Sequence, residues 1–237
     1  MRYSFAGGND GVTENTAAWS SKHAFTEGAI YEMTRRSEDA MMGEMAPHDG
    51  HRRAILDPAA THVGIGVAWE RGEFRLAQEF IRRYVGWTRP LPRQAKISDS
   101  VIAGGRPFAG MRIEAITVHH ESVPSPMSIA TANAIDNYSL PETREEYLPR
   151  LKSDAVRTQD DGSVELASLA RRGGRMGDFR IGDDGSFTFN IPFTEGPGIY
   201  TVVVWVGDGN GGAPIAASNV SVRVESETFR PQAGGSR

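Results

Sequence analysis

The chain has 237 residues, 39% of them hydrophobic and 24% charged, which is enough apolar material to build one large domain or two small ones. Its net charge of −4 lacks the basic excess that phosphate contacts require and argues against a nucleic-acid binder. Cysteine is absent, which excludes disulfides, thiolate metal sites and thiol catalysis, and no apolar run reaches the roughly 18 residues needed to span a bilayer.

Residues 1–15 are polar and glycine-rich and read as a loop, with no apolar h-region of a signal peptide. Residues 16–46 carry few breakers and include Phe25, Ile30, Tyr31, Met33, Met41, Met42 and Met45. This pattern predicts helix, interrupted near Gly28 and stopped by Pro47, with the methionines as core filler. Asp49 is placed to cap a short helix over 50–56, and the Asp57–Pro58 step closes it.

The period then changes. Val63, Ile65, Val67 and Trp69 alternate with Gly64, Gly66 and Ala68, and Phe74, Leu76, Gln78 and Phe80 alternate after the turn "ERGE". That predicts a β-hairpin with Gly72 at positive φ. The small face of its first strand is expected to receive a helix. Residues 84–96, with two prolines and no period, read as the boundary between domains.

The second half reads as β. Alternation at 111–119, 186–193, 199–206 and 219–225, divided by Gly, Pro and Asp, predicts an antiparallel sandwich of immunoglobulin-like type over 98–230. "PETREEYLPRL" is expected as a short helix, and the following stretch to residue 185 as turns and two short strands. "GDGNGG" at 207–212 reads as a hairpin loop rather than a calcium loop, because the alternating acids and terminal glutamate are missing. His119 and His120 adjoin on a strand and so point to opposite faces.

In the first half, "TENTAAW" at 13–19, "HDGHRRAILDP" at 48–58, "THVGIGVAW" at 61–69 and "RLAQEF" at 75–80 follow one another in a telling order. Together they resemble the CAP superfamily, which comprises cysteine-rich secretory proteins, antigen 5 and pathogenesis-related 1 proteins, and specifically its cysteine-free bacterial branch. There a "GEN" motif precedes a helix, then come "SPGHRxNIL", a glycine-rich strand and an aromatic strand ending in Q-x-F. Thr13 stands for the motif's glycine and Ala54 for its asparagine, and the family's first helix, which supplies a histidine, has no counterpart before Thr13. The resemblance implies a partial αβα sandwich over residues 1–89, and so an α+β chain overall. It also implies secretion or a periplasmic location.

The resemblance makes His51 and Glu14 residues of the family's cavity, with Glu44 as a second glutamate for which Glu32 and Glu38 compete. An imidazole at a helix N-terminus suits lone-pair donation, and a nearby carboxylate orients it or shares a metal. A zinc ion would draw on His51 and Glu14, and two ligands make a weak site, so no cofactor is expected. His48 and His51 have H-x-x-H spacing, and Glu44 would share their face on one helix, but Pro47 and Asp49–Gly50 interrupt it. Asn15 is expected to hold the turn, and His62 to sit at a loop end.

The favoured reading is a non-enzymatic protein that binds a small apolar or peptide-like ligand or a protein partner. One alternative is a hydrolase in which His51, with Glu14 or Glu44, activates water. Another is a structural module with a degenerate cavity. An oligomer that completes the short domain is the further expectation.

Overall fold

The computed structural model describes residues 2–108, 110–128, 131, 140–149, 156–158, 161, 164–166 and 175–226. The chain divides into two compact units, Asp10–Arg83 and a larger one made of Met1–Asn9 with Tyr84–Arg237. The sequence pattern places the end of the first part at residue 89 and the start of the second at 98. The architecture is a mixed α+β one, a small three-stranded sheet with helices and a larger nine-stranded sheet.

The opening residues are not all loop. A single helical turn, α1 (Arg2–Phe5), is followed by β1 (Gly11–Ser20), a strand that also takes the first residues expected in the helix. Helix α2 (Glu27–Met42) starts where Thr26 accepts the Ala29 N–H in its side chain, runs through Gly28 without a break and ends at Gly43 rather than at Pro47. The short helix α3 (Gly50–Ile55) follows. The predicted hairpin is β2 (His62–Glu70) paired antiparallel with β3 (Glu73–Arg82), Val67 opposite Leu76. Strand β1 pairs antiparallel with the other edge of β3, giving the order β1-β3-β2.

Alternation along β3 sends Phe74, Leu76, Gln78 and Phe80 to one face, where all four are buried. Phe74 and Leu76 pack with Ile30 of α2, and with Phe25, Met33, Ala17 and Val67, to form the small unit's core. Side chains this buried each contribute about 1.5–3 kcal/mol. The helix therefore lies on the apolar face. The expectation that it would cover the small face of β2 is corrected: a Cβ built on Gly64 or Gly66 meets nothing within 4 Å. Of the three methionines, Met41 is buried, while Met45 is 74% exposed and no part of a core.

At the hairpin turn the positive φ belongs to Arg71, at 53°, and not to Gly72. Gly72 is required for a different reason. A Cβ there would stand 2.0 Å from the Ser21 carbonyl oxygen, because the chain at 21–25 bonds back to the turn through Ser21 N–H to Gly72 O and Phe25 N–H to Arg71 O.

Residues 84–96, expected as the boundary between domains, begin at the division and belong to the larger unit. They supply β4 (Val85–Arg89) and β5 (Gln94–Lys96) to the large sheet. The remaining strands are β6 (Ser100–Pro107), β7 (Arg112–Glu121), β8 (Thr143–Pro149), a separate hairpin of β9 (Val156–Thr158) and β10 (Val164–Leu166), then β11 (Arg175–Ile181), β12 (Phe187–Pro192), β13 (Gly198–Gly207) and β14 (Ile215–Glu225). "PETREEYLPRL" gives strand β8 instead of a helix, and residues 150–155, 159–160, 162–163 and 167–174 lie outside the described residues.

The large sheet runs β4-β6-β12-β11-β8-β7-β13-β14-β5. Its pairs are antiparallel except β8 with β11 and β5 with β14, which are parallel, so the expected purely antiparallel pairing is corrected at those two places. One core draws on Ala103 of β6 and Phe187 and Phe189 of β12 at one end of that order, and on Val220, Val222 and Val224 of β14 at the other. A sheet whose two ends share a core has curled over on itself. The "GDGNGG" loop is the expected turn between β13 and β14, with Gly209 and Gly211 at positive φ.

The first nine residues are built into this unit. Ser4 Oγ donates to the Asn219 carbonyl and accepts the Ser221 N–H, Ser218 Oγ donates to the Asn9 carbonyl, and Arg93 Nη2 donates to Gly8 O and Asn9 Oδ1 at 2.7 Å each.

Candidate functional site

The N-terminus of α3 is where the sequence-predicted residues meet. A six-residue helix leaves its first N–H groups without intrahelical partners, and the expected cap, Asp49, makes no side-chain bond to them. Asp49 instead pairs with Arg53, 3.2 Å away. Glu44 takes over the cap from the preceding loop. Its Oε2 accepts the His51 N–H at 3.0 Å and the Arg52 N–H at 3.4 Å, while Oε1 stands 2.5 Å from His51 Nδ1. The hydrogen bond from His51, with the Arg52 N–H adding to it, holds the Glu44 carboxyl below the usual carboxylate range against the opposing effect of burial. The His51 side chain remains 43% exposed.

Asn15 fixes the helix to the sheet. Its Nδ2 donates to the His51 carbonyl at 3.1 Å and to Gln78 Oε1 at 3.3 Å, and Gln78 Nε2 donates to Glu38 Oε2 at 2.6 Å. A chain of amides thus links α3, β1, β3 and α2. The expectation that Asn15 would hold a turn is corrected: it lies within strand β1, and its partners come from α3 and β3.

Glu14 goes elsewhere. Asn15 is buried on the helix-covered face, so the pleat turns its neighbour Glu14 to the other face, where it is exposed and stands opposite Glu79 of β3. The structure brings Glu44 to His51 and does not bring Glu14 there. Glu38 serves Gln78, Glu32 pairs on the surface with Arg35 and Arg36, and His48 and His62 are exposed. Among the described residues, no group of three or more His, Asp or Glu is arranged to hold a metal ion.

Beside α3 lies an open cavity of about 580 Å³, walled by Thr13 of β1, Arg52, Arg53 and Leu56 around the helix, Asp57 and Arg82. Ligand cavities fall in this size range. Its cations are not equivalent. Arg82 is held by Asp57, Nε to Oδ2 at 2.8 Å, and Arg53 by Asp49. Arg52 Nε is buried with no hydrogen-bond partner. In the sequence Arg52 is simply half of a basic pair with Arg53 and falls outside the motif roles given to His51, Glu14 and Glu44. The signal was its place one residue after His51, on a helix whose cavity side carries the small Ala54.

The histidines of the large unit lie within its packing, with His120 Nε2 buried and without a hydrogen-bond partner. His119 is buried with Nδ1 2.7 Å from the Pro141 carbonyl and Nε2 3.1 Å from Thr117 Oγ1, and burial holds its pKa below the usual histidine range. His120 stacks at a tilt on Tyr200, 4.6 Å between ring centres. The pair takes opposite faces, as strand alternation predicted.

No protein-family model matches the chain, and no curated protein matches it in sequence. Among the described residues, no helix is long and apolar enough to cross a membrane.

Proposed function

We propose that the chain is a CAP-like binding protein that acts outside the cytoplasm, taking a peptide-like ligand with a free carboxylate into the cavity beside α3. The observation that carries this reading is Arg52. It is the one cavity arginine whose guanidinium has no carboxylate of its own among the described residues, and its Nε is already desolvated without a partner. A buried donor left unpaired costs about 1–3 kcal/mol, which a ligand carboxylate would recover through a charge-assisted bond. Leu56, Ala54 and Pro58 offer apolar contact beside it.

The motif order supports the family assignment. "TEN" lies on a strand beside the histidine-bearing helix, and the glycine-rich and Q-x-F segments form the adjoining hairpin. The immunoglobulin-like reading of the large unit is supported by Tyr200. Near the start of β13, its hydroxyl donates to the Gly196 carbonyl and accepts the Glu195 N–H, the arrangement of a tyrosine corner.

Titration calorimetry with short peptides bearing free C-termini, and with their C-terminal amides, tests the proposal. Free-acid peptides bind, amides do not, and Arg52→Gln abolishes the difference. Equal behaviour of acids and amides overturns the carboxylate reading.

A second reading rests on the 2.5 Å contact between Glu44 and His51. A carboxylate on Nδ1 fixes the tautomer that leaves the Nε2 lone pair facing outward, the state a general base needs to activate water. Turnover of a fluorogenic ester or peptide panel that His51→Gln abolishes would favour it over simple binding.

A further inference from the structure

The edge of the small sheet carries an unassigned surface. Strand β2 has β3 on one side and, among the described residues, no strand on the other, and eight of its nine residues are exposed. Its apolar residues share the face of Phe74 and Leu76, and of them Val67 packs into the core while the other three stay exposed. Val63 is 56%, Ile65 62% and Trp69 55% exposed. The strand pairs with β3 over its whole length without a bulge, so its free edge is a regular ladder of unpaired backbone groups. Such edges are ordinarily shortened, bulged or covered. The lysine, proline or inward charge that blunts an edge is also absent from "HVGIGVAWE".

We infer that β2 pairs with β2 of a second copy of this chain, antiparallel about a two-fold axis through Gly66. The sequence of the strand is complementary to its own reverse. In this register Val63 lies opposite Trp69, Ile65 opposite Val67, and Gly64 opposite Ala68, with Gly66 opposite itself. The ends meet with opposite character, the His62 imidazole of each copy facing the Glu70 carboxylate of the other. Every pair joins residues from the same face, because opposed positions differ by an even number. A β-branched residue against an aromatic one, and an acid against a basic ring, are favourable cross-strand pairs. The two-fold makes each pair except Gly66 with itself occur twice. Three strands become a continuous six, and the exposed apolar stripe of one copy continues into that of the other.

The absence of cysteine makes the register directly testable on the full chain. Opposed Cα atoms in an antiparallel pair are about 4.5–5.5 Å apart, within the span of a disulfide. Gly66→Cys therefore gives a covalent dimer on mild oxidation. Gly64→Cys alone does not, while an equal mixture of Gly64→Cys and Ala68→Cys does. Both glycines have open space at Cβ, so neither change disturbs the fold. In sedimentation equilibrium the cysteine-free chain dimerises with concentration. His62→Glu raises the dissociation constant roughly 2- to 25-fold, and adding Glu70→Lys restores it. A chain that stays monomeric at every concentration overturns the inference. So does cross-linking at residue 64 as ready as at residue 66, or a charge swap that fails to rescue.

Discussion

Glu44 holds His51 at two points at once, the imidazole through one carboxylate oxygen and the backbone N–H through the other. A single side chain thereby caps a helix it does not belong to and orients the ring at its start. Its pKa gives this a sign. The folded carboxyl titrates below its unfolded value, so the stabilisation is fully present above the ordinary carboxylate range and is lost as pH falls through the lowered folded pKa. Glu44→Gln keeps one acceptor oxygen and removes the charge. We expect it to flatten the acid limb of stability between pH 5 and pH 3, measured as urea midpoints. An acid limb of unchanged slope would show that the carboxylate is not linked to folding.

Gly66→Val is expected to leave stability within about 0.5 kcal/mol of the parent or to raise it slightly, since valine favours strands and the added atoms meet open space. Urea denaturation at a concentration where the chain is monomeric is the check. A loss above about 1 kcal/mol would mean that something covers that face.

Arg71 and Gly72 adjoin in one turn and should respond in opposite directions. Arg71→Gly relieves a side chain held at φ 53° and is expected to gain up to about 1 kcal/mol. Gly72→Ala drives a methyl into the Ser21 carbonyl and is expected to cost roughly 1–3 kcal/mol, because backbone and not a flexible side chain must move. Thermal melts of the two variants, side by side, read the signs.

Tyr200→Phe removes a buried hydroxyl that both donates and accepts. It leaves the Glu195 N–H without its acceptor and is expected to cost about 1–3 kcal/mol of the large unit's stability. Burial also pushes the phenol above its usual range. In an alkaline absorbance titration, Tyr200 should be among the last tyrosines to ionise, and the variant should lose that late component.

What was legible in the sequence was what periodicity writes plainly. The β2–β3 hairpin and strands β7, β12 and β14 show alternation, β13 is a nearly continuous apolar run, and each lies where the pattern put it. Strand β1 was hidden because its inward face is Gly11, Thr13, Asn15, Ala17 and Trp19, with only two apolar residues at its far end. Pairing with β3 makes it a strand. Strand β8 was hidden by composition, since "TREEYLP" has helical propensity. Its Glu145 is 2% exposed and is satisfied by the hydroxyls of Tyr147 and Thr194, partners that only the fold supplies. The site was half legible. Motif position marked His51 as the focus, but the choice between Glu14 and Glu44 turned on which face of a strand Glu14 occupies, and that strand was not foreseen.

The attachment of residues 1–9 to β14 sets the order in which the chain can assemble as it is synthesised. Ser4 finds its partners 215 and 217 positions later, at Asn219 and Ser221. The stretch between Asp10 and Arg83 closes on itself much sooner, with Gly11 opposite Arg82 and Asp10 bonded to Arg83. During translation the Asp10–Arg83 unit can therefore finish folding while residues 2–9 still wait for β14. The Asp10–Arg83 unit is continuous in sequence with adjacent ends, whereas the other unit reads as one fold only when both flanking pieces of the chain are present.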